Sequence, residues 1–287
     1  MNISGSTRLC CLLGSPVSHS ISPAMHNEAF QYHGLDYAYL AFEATEETLP
    51  AAVEALKTLH VRGFNLTMPC KNRMVSLCDR LSPAAEISGS VNTVLFEDGI
   101  LTGYTTDGIG YMDSCRDAGY EIIGKKMTLF GAGGAAMSIL VQAALDGVRE
   151  ITLFTRQPDR PRTQSIIAKL TSQTSCRIKA FSYEDAGLIR RELSDSAILV
   201  NATSLGMAPD TESCILPDSS YLHPELIVSD IIYNPRKTRL LKMAEEAGCP
   251  FFNGLYMLLY QGAAAFSIWT GREMPVELMK EKYFRHE

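Results

Sequence analysis

The chain has 287 residues, 46% of them hydrophobic and 20% charged, and a net charge of −6. Its length favours two domains, and its composition is that of an ordinary globular protein. The acidic balance argues against a nucleic-acid binder, no stretch reaches the ~18 apolar residues of a membrane span, and the polar N-terminus lacks a signal core.

Residues 8–13 read as a buried strand. A helix over 23–32 follows, with Ser22 as its N-cap and Pro23 in its first turn. Residues 37–42 alternate as a strand, 46–59 read as a helix with acidic residues in its first turn, and 63–67 form the next strand. A short helix follows over 72–78. Strands at 91–96 and 100–104 flank Glu97-Asp98-Gly99, a hairpin signal. A helix over 107–118 leads into strand and helix units: strands at 127–130, 150–154, 177–181, 197–200, 226–232 and 250–252, and helices at 135–145, 162–170, 185–193 and 237–247. Residues 255–269 and 276–283 are helical with no strand left to pair with. The pattern predicts an α/β protein of two α/β domains. The second is a doubly wound, parallel Rossmann-type sheet, and the C-terminal helices return to the first domain. The expected division is 1–106, completed by 254–287, against 107–253.

The eight cysteines form no C-x-x-C pair. That spacing suits neither zinc nor a disulfide framework, so no metal is expected and reduced thiols in a cytoplasmic protein are.

The strand ending at Phe130 runs into Gly131-Ala132-Gly133-Gly134-Ala135 and then a helix. A strand, a glycine turn and a helix N-terminus make a phosphate site, and G-x-G-x-x-A is a permitted form of the dinucleotide fingerprint. An NAD site places a carboxylate at the tip of the next strand, about 20 residues on. Here that tip reads Thr155-Arg156-Gln157-Pro158-Asp159-Arg160. Guanidinium groups at Arg156 and Arg160 suit a 2′-phosphate, so NADP is favoured over NAD, with Asp159 the residue that leaves NAD open.

Four stretches in the first domain are not explained by packing. They are His19-Ser20-Ile21-Ser22-Pro23, Asn65-Leu66-Thr67-Met68-Pro69-Cys70-Lys71, Ser90-Val91-Asn92-Thr93 and Thr105-Thr106-Asp107-Gly108. Two serine hydroxyls at a helix start could hold a carboxylate. Lys71 reads either as a solvated lysine or as one tuned for proton transfer. Asn92 reads as a turn residue and Asp107 as a cap unless they act together. Cys70 has no base beside it to make it a reactive thiol.

In order and spacing these stretches resemble the shikimate dehydrogenase family, as do the glycine turn, Asn201-Ala-Thr-Ser-x-Gly-Met207, Tyr233-Asn-Pro235 and Met257-Leu-Leu-x-Gln261. The likeness runs from about Leu9 to Trp269. It implies reversible, NADPH-dependent reduction of 3-dehydroshikimate to shikimate, on the route to chorismate and aromatic amino acids. Lys71 and Asp107 would be catalytic. Ser20 and Ser22 would hold the substrate carboxylate, and Thr67, Lys71, Asn92, Asp107, Tyr233 and Gln261 would reach its ring oxygens. Gly131, Ala132, Gly133, Gly134, Ala135, Thr155, Arg156, Arg160, Ile231 and Gly254 would contact the cofactor.

The family's clamp reads Asn-Arg-Thr-x-x-Arg; Thr155 and Gln157 depart from it, while Arg156 and Arg160 match. Pro83 stands where the family often carries an acid. Some relatives take quinate or NAD, so a quinate/shikimate dehydrogenase using either cofactor is the alternative. The other readings weighed are a methylenetetrahydrofolate dehydrogenase-like enzyme and a nucleotide-sensing regulator. Ser20, Ser22 and the Gln261 motif speak against the first. The competent residues in every motif speak against the second. The resemblance implies a small-molecule substrate, no nucleic acid or membrane partner, and a monomer or homodimer.

Overall fold

In the computed structural model, which describes residues 3–284, the chain divides into two compact units. One comprises the residues up to Gly110 together with those from Leu259 onward, and the other runs from Tyr111 to Leu258.

The first unit is built on a six-stranded mixed sheet of β1 (Arg8–Gly14), β2 (Tyr37–Glu43), β3 (Gly63–Leu66), β4 (Arg80–Leu81), β5 (Thr93–Glu97) and β6 (Ile100–Tyr104), in the order β2-β1-β3-β5-β6-β4. β1 pairs parallel with β2 and β3, whereas β5 runs antiparallel to β3 and β6. The hairpin closes where Glu97 faces Ile100, with Asp98 and Gly99 at φ 52° and 78°. Two successive left-handed residues match the twist of the flanking strands. The free edge of β2 is blocked at its middle. The Asn27 amide donates to Tyr39 O at 2.9 Å and accepts from Tyr39 N–H at 2.8 Å, standing in for a neighbouring strand.

The helices of this unit depart from expectation in instructive ways. Helix α1 (Ser22–Tyr32) starts at Ser22 itself; its N-cap is Ile21 and no side chain caps it. Ser22 is therefore not the N-cap, and its hydroxyl is not spent on the helix end. Helix α2 (Leu49–Thr58) begins after the acidic residues at 46 and 47. A helix from 46 would carry Pro50 beyond its first turn, where the ring clashes with a preceding carbonyl; starting at Leu49 leaves Pro50 where it is tolerated. The stretch at 72–78 is a 3₁₀ turn over Arg73–Leu77. Helix α3 (Pro83–Ser88) and strand β4 were not expected. The helix carries full signals: the Ser82 hydroxyl accepts from Ala85 N–H, Pro83 opens the first turn, and Gly89 closes it at φ 61°.

Helix α4 (Asp107–Asp117) carries the chain into the second unit. Along the chain come β7 (Lys126–Phe130), α5 (Gly134–Asp146), β8 (Glu150–Thr155), α6 (Pro161–Gln173), β9 (Arg177–Ser182), α7 (Ala186–Leu193), β10 (Ile198–Asn201), β11 (Ile227–Asp230), α8 (Arg239–Glu246) and β12 (Phe251–Asn253). All six strands are parallel, in the order β12-β11-β10-β7-β8-β9. β7, β8, β10 and β11 are buried along their whole length, as strands covered on both faces must be. The strand order reverses between β7 and β10, and in sheets of this kind ligands sit beyond the carboxyl ends at that reversal.

Helix α9 (Leu255–Thr270) returns the chain to the first unit, where α10 (Val276–Met279) and a π-helical turn over Lys280–Phe284 follow. The anchor is Trp269. It is fully buried over β3, its indole N–H donates to Val94 O at 2.9 Å, and a Cβ on Gly63 would lie 2.3 Å from its Nε1. Only glycine at 63 leaves room for the indole. Replacing Trp269 by alanine should destabilise the first unit by about 3–5 kcal/mol. Urea unfolding followed by far-UV circular dichroism reads this as an earlier first transition; an unmoved transition would contradict the anchoring role.

Candidate active site

In the first unit, the loop after β3 and the starts of β5 and α4 bring Lys71, Asn92 and Asp107 together. Lys71 Nζ lies 2.6 Å from Asp107 Oδ2, and the two side chains keep only 26% and 10% of their exposure. Asp107 opens α4, where a negative charge is favoured by the helix dipole. Its carboxylate faces Lys71 and Asn92. Asn92 donates to Asp107 Oδ1 at 2.8 Å and its carbonyl accepts from Thr106 N–H at 2.7 Å. A backbone N–H can only donate, so the orientation of this amide is fixed. Gln261 of α9 lies 3.4 Å from Asn92 Nδ2.

Behind Asn92 runs a chain of donors that sequence reasoning missed. The Tyr39 hydroxyl donates to Asn65 Oδ1 at 2.8 Å, Asn65 Nδ2 to Thr93 Oγ1 at 3.0 Å, and Thr93 Oγ1 to Asn92 Oδ1 at 3.1 Å. Asn65 and Thr93 stand inside quoted motifs, but nothing local marks Tyr39 as their partner. His26 stacks on the Tyr39 ring, with centroids 4.5 Å apart, and burial holds its imidazole down to about 3.

Ser20 is half-buried and Ser22 buried at the entry to α1, where Ser22 N–H donates to Ser20 Oγ at 3.3 Å. Thr67 is half-buried at the end of β3. Cys70 is fully buried with its thiol on Ala44 O, and burial pushes its ionisation up, so it is not a reactive thiolate.

In the second unit, Gly131 takes φ 115°, and a Cβ there would meet Ala202 O at 2.5 Å. Gly133 and Gly134 are exposed, and a Cβ on either would meet nothing within 4 Å. No side chain caps α5. Ala132 and Ala135 are half-buried around this open cradle of backbone N–H groups, which fits a pyrophosphate. Thr155 is buried at the tip of β8, and Arg156, Asp159 and Arg160 are exposed beyond it. Ile231 and Gly254 abut so closely that a Cβ on Gly254 would lie 1.8 Å from Ile231 O. Tyr233, 45% exposed, follows in the same unit.

Residues 12–94 match the model of the shikimate dehydrogenase substrate binding domain, and residues 254–282 that of the shikimate 5′-dehydrogenase C-terminal domain. A shikimate dehydrogenase (NADP(+)) of Listeria monocytogenes serotype 4b is 50% identical over 283 residues, which cover 98% of this chain and 97% of that protein. The chain belongs to the shikimate dehydrogenase family. Among solved structures, shikimate 5-dehydrogenase from Listeria monocytogenes in complex with shikimate and NAD aligns with a TM-score of 0.94 at 50% identity, covering 98% of each chain. A quinate/shikimate dehydrogenase of Escherichia coli is 39% identical over 98% of both chains. The likeness thus extends over both units.

At the carboxyl end of β11, Asp230 is fully buried, and burial pushes its carboxyl up from 3.8 to about 6. Between those values the folded chain keeps a proton that the unfolded chain has released. The stability this group contributes is therefore present below about pH 4 and lost as the pH rises through 6, a swing of roughly 3 kcal/mol. In Asp230→Asn that dependence should vanish. Urea midpoints near pH 4 and pH 7 read it, and identical pH dependence in both proteins would contradict it.

Proposed function

We propose that this chain catalyses the reversible, NADPH-dependent reduction of 3-dehydroshikimate to shikimate, in the cytoplasmic route to chorismate and aromatic amino acids. The observation that carries the reading is the pair of half-buried Lys71 and buried Asp107, oriented by Asn92, in a chain whose relatives are named for this reaction. The first unit, completed by the C-terminal helices, is the substrate-binding and catalytic domain. The second is the dinucleotide-binding domain.

Bound on the glycine turn of the second unit, NADPH supplies the hydride. As the ketone carbon is reduced, its oxygen gains negative charge. Lys71 Nζ stabilises that charge and donates a proton to the oxygen. Asp107 Oδ2 keeps the ammonium aimed and balances its charge, while Asn92 holds the carboxylate from its other oxygen. In the reverse direction Lys71 takes the hydroxyl proton. Ser20 and Ser22 bind the substrate carboxylate, a role left open by a helix that starts without a side-chain cap. Thr67, Gln261 and Tyr233 contact ring oxygens.

On the cofactor, Gly131 to Ala135 hold the pyrophosphate, Arg156 and Arg160 the 2′-phosphate, Thr155 the adenosine side, and Ile231 and Gly254 the nicotinamide end. Thr155 offers no carboxylate to a ribose 2′-OH, which favours NADP. The substrate is a small molecule, with no nucleic-acid or membrane partner, and the enzyme works as a monomer or homodimer. Among the described residues no helix is long and apolar enough to cross a membrane.

The test is a two-by-two kinetic comparison: shikimate and quinate, each with NADP and NAD. Shikimate with NADP should give the highest kcat/KM, and NAD in place of NADP should lower it by about tenfold or more, as expected when charged contacts to a 2′-phosphate are lost. No oxidation of shikimate with either cofactor would refute the reading, and equal rates with quinate would make the chain a quinate/shikimate dehydrogenase.

A further inference from the structure

Asp230 is buried at the carboxyl end of β11, and none of the catalytic or binding roles above uses its side chain. Three donors converge on it. Its Oδ1 accepts from Asn201 Nδ2 and from Ile232 N–H, both at 3.1 Å, and its Oδ2 accepts from Thr238 Oγ1 at 2.7 Å.

Each donor governs a different segment. Asn201 also donates to Leu205 O at 3.1 Å and accepts from the Thr203 N–H at 3.1 Å and its hydroxyl at 2.7 Å, so it shapes the loop after β10. Ile232 follows Ile231, whose N–H is taken by Asn201 O at 3.0 Å and whose carbonyl is packed against Gly254. Gly254 N–H in turn donates to Ile232 O at 3.3 Å. Thr238 caps α8 by accepting from Leu241 N–H.

These segments meet beyond the carboxyl ends of β10 and β11, the side of a doubly wound sheet that receives ligands. The loop after β10 also carries Ala202, whose carbonyl forces glycine at 131 in the phosphate turn. A carboxylate suits this hub because it is acceptor-only and can meet all three donors at once. An amide keeps one accepting oxygen, and alanine keeps none.

We propose that Asp230 is a positioning residue for the nicotinamide half of the cofactor. It fixes the loop after β10 and the 231–232 segment together without touching the ligand itself. The inference rests on the dinucleotide reading of this unit and deepens it: that half of the site is shaped by a buried carboxylate rather than by the glycine turn. The upward push of burial on its carboxyl is consistent with a group kept for its contacts at a cost in stability.

The test compares wild type, Asp230→Asn and Asp230→Ala for equilibrium binding of NADPH, followed by nicotinamide fluorescence, and of adenosine 2′,5′-bisphosphate, which lacks the nicotinamide half. In Asp230→Ala the Kd for NADPH should rise by about tenfold, about what one displaced hydrogen bond from the loosened loop and 231–232 segment costs, while that for the bisphosphate, which does not reach them, stays within about twofold. Asp230→Asn should give a smaller loss with the same selectivity, and it carries the test alone if the alanine variant does not fold. Unchanged NADPH affinity would overturn the inference, and so would equal weakening of both ligands, which marks a general structural role. Wild-type protein that binds neither ligand would instead overturn the dinucleotide reading.

Discussion

The ion pair between Lys71 and Asp107 is the interaction on which the proposed chemistry of the first unit depends. At 2.6 Å, with the carboxylate largely shielded, neither charge is tolerated well without the other. The pair is not left to find its own geometry. Asn92 fixes one carboxylate oxygen while Lys71 takes the other, and Thr106 N–H fixes Asn92. Behind them, Thr93, Asn65 and Tyr39 pass the constraint back to the sheet edge, where Asn27 of α1 locks Tyr39 by its backbone. The helix that presents Ser22 is thus tied through hydrogen bonds to the carboxylate that faces Lys71. A positioned ammonium of this kind contributes to a reduction because its charge is already in place when charge develops on the substrate oxygen.

The second unit meets a different demand with different means. In the proposed reading the backbone binds the phosphates, which requires residues small enough to leave it open. Gly133 and Gly134 serve by having nothing around their Cβ positions, and Gly131 by fitting against Ala202 O. The carboxyl ends of β10 and β11 are instead tied by side chains, with Asp230 as the common acceptor for Asn201, Ile232 and Thr238. The second unit therefore combines an open glycine turn with strand ends tied by side chains.

Much of this was legible in the sequence where the signal is local. The hairpin at Glu97-Asp98-Gly99, the glycine turn after Phe130 and the alternation of strand and helix all follow from residues near one another in the chain. What was missed depended on partners far away or on one residue overriding a pattern. Pro50 moved the start of α2 past two glutamates that looked like its first turn. Ser22 looked like a cap and proved to be inside the helix. Helix α3 has a good cap and a good stop but spans only Pro83–Ser88, too short for periodicity to reveal. The chain from Tyr39 to Asn92 joins residues on separate strands, and no spacing rule could have paired them. The catalytic candidates were legible as a constellation only through family resemblance; taken singly, Lys71, Asn92 and Asp107 each had an ordinary structural explanation.

The most direct test of the central claim is shikimate oxidation by Lys71→Ala, alongside NADPH binding by the same variant. The account predicts a folded protein with unchanged NADPH affinity whose kcat falls by about a hundredfold or more, the usual scale for losing a positioned acid–base group. Turnover close to that of the wild type would contradict it.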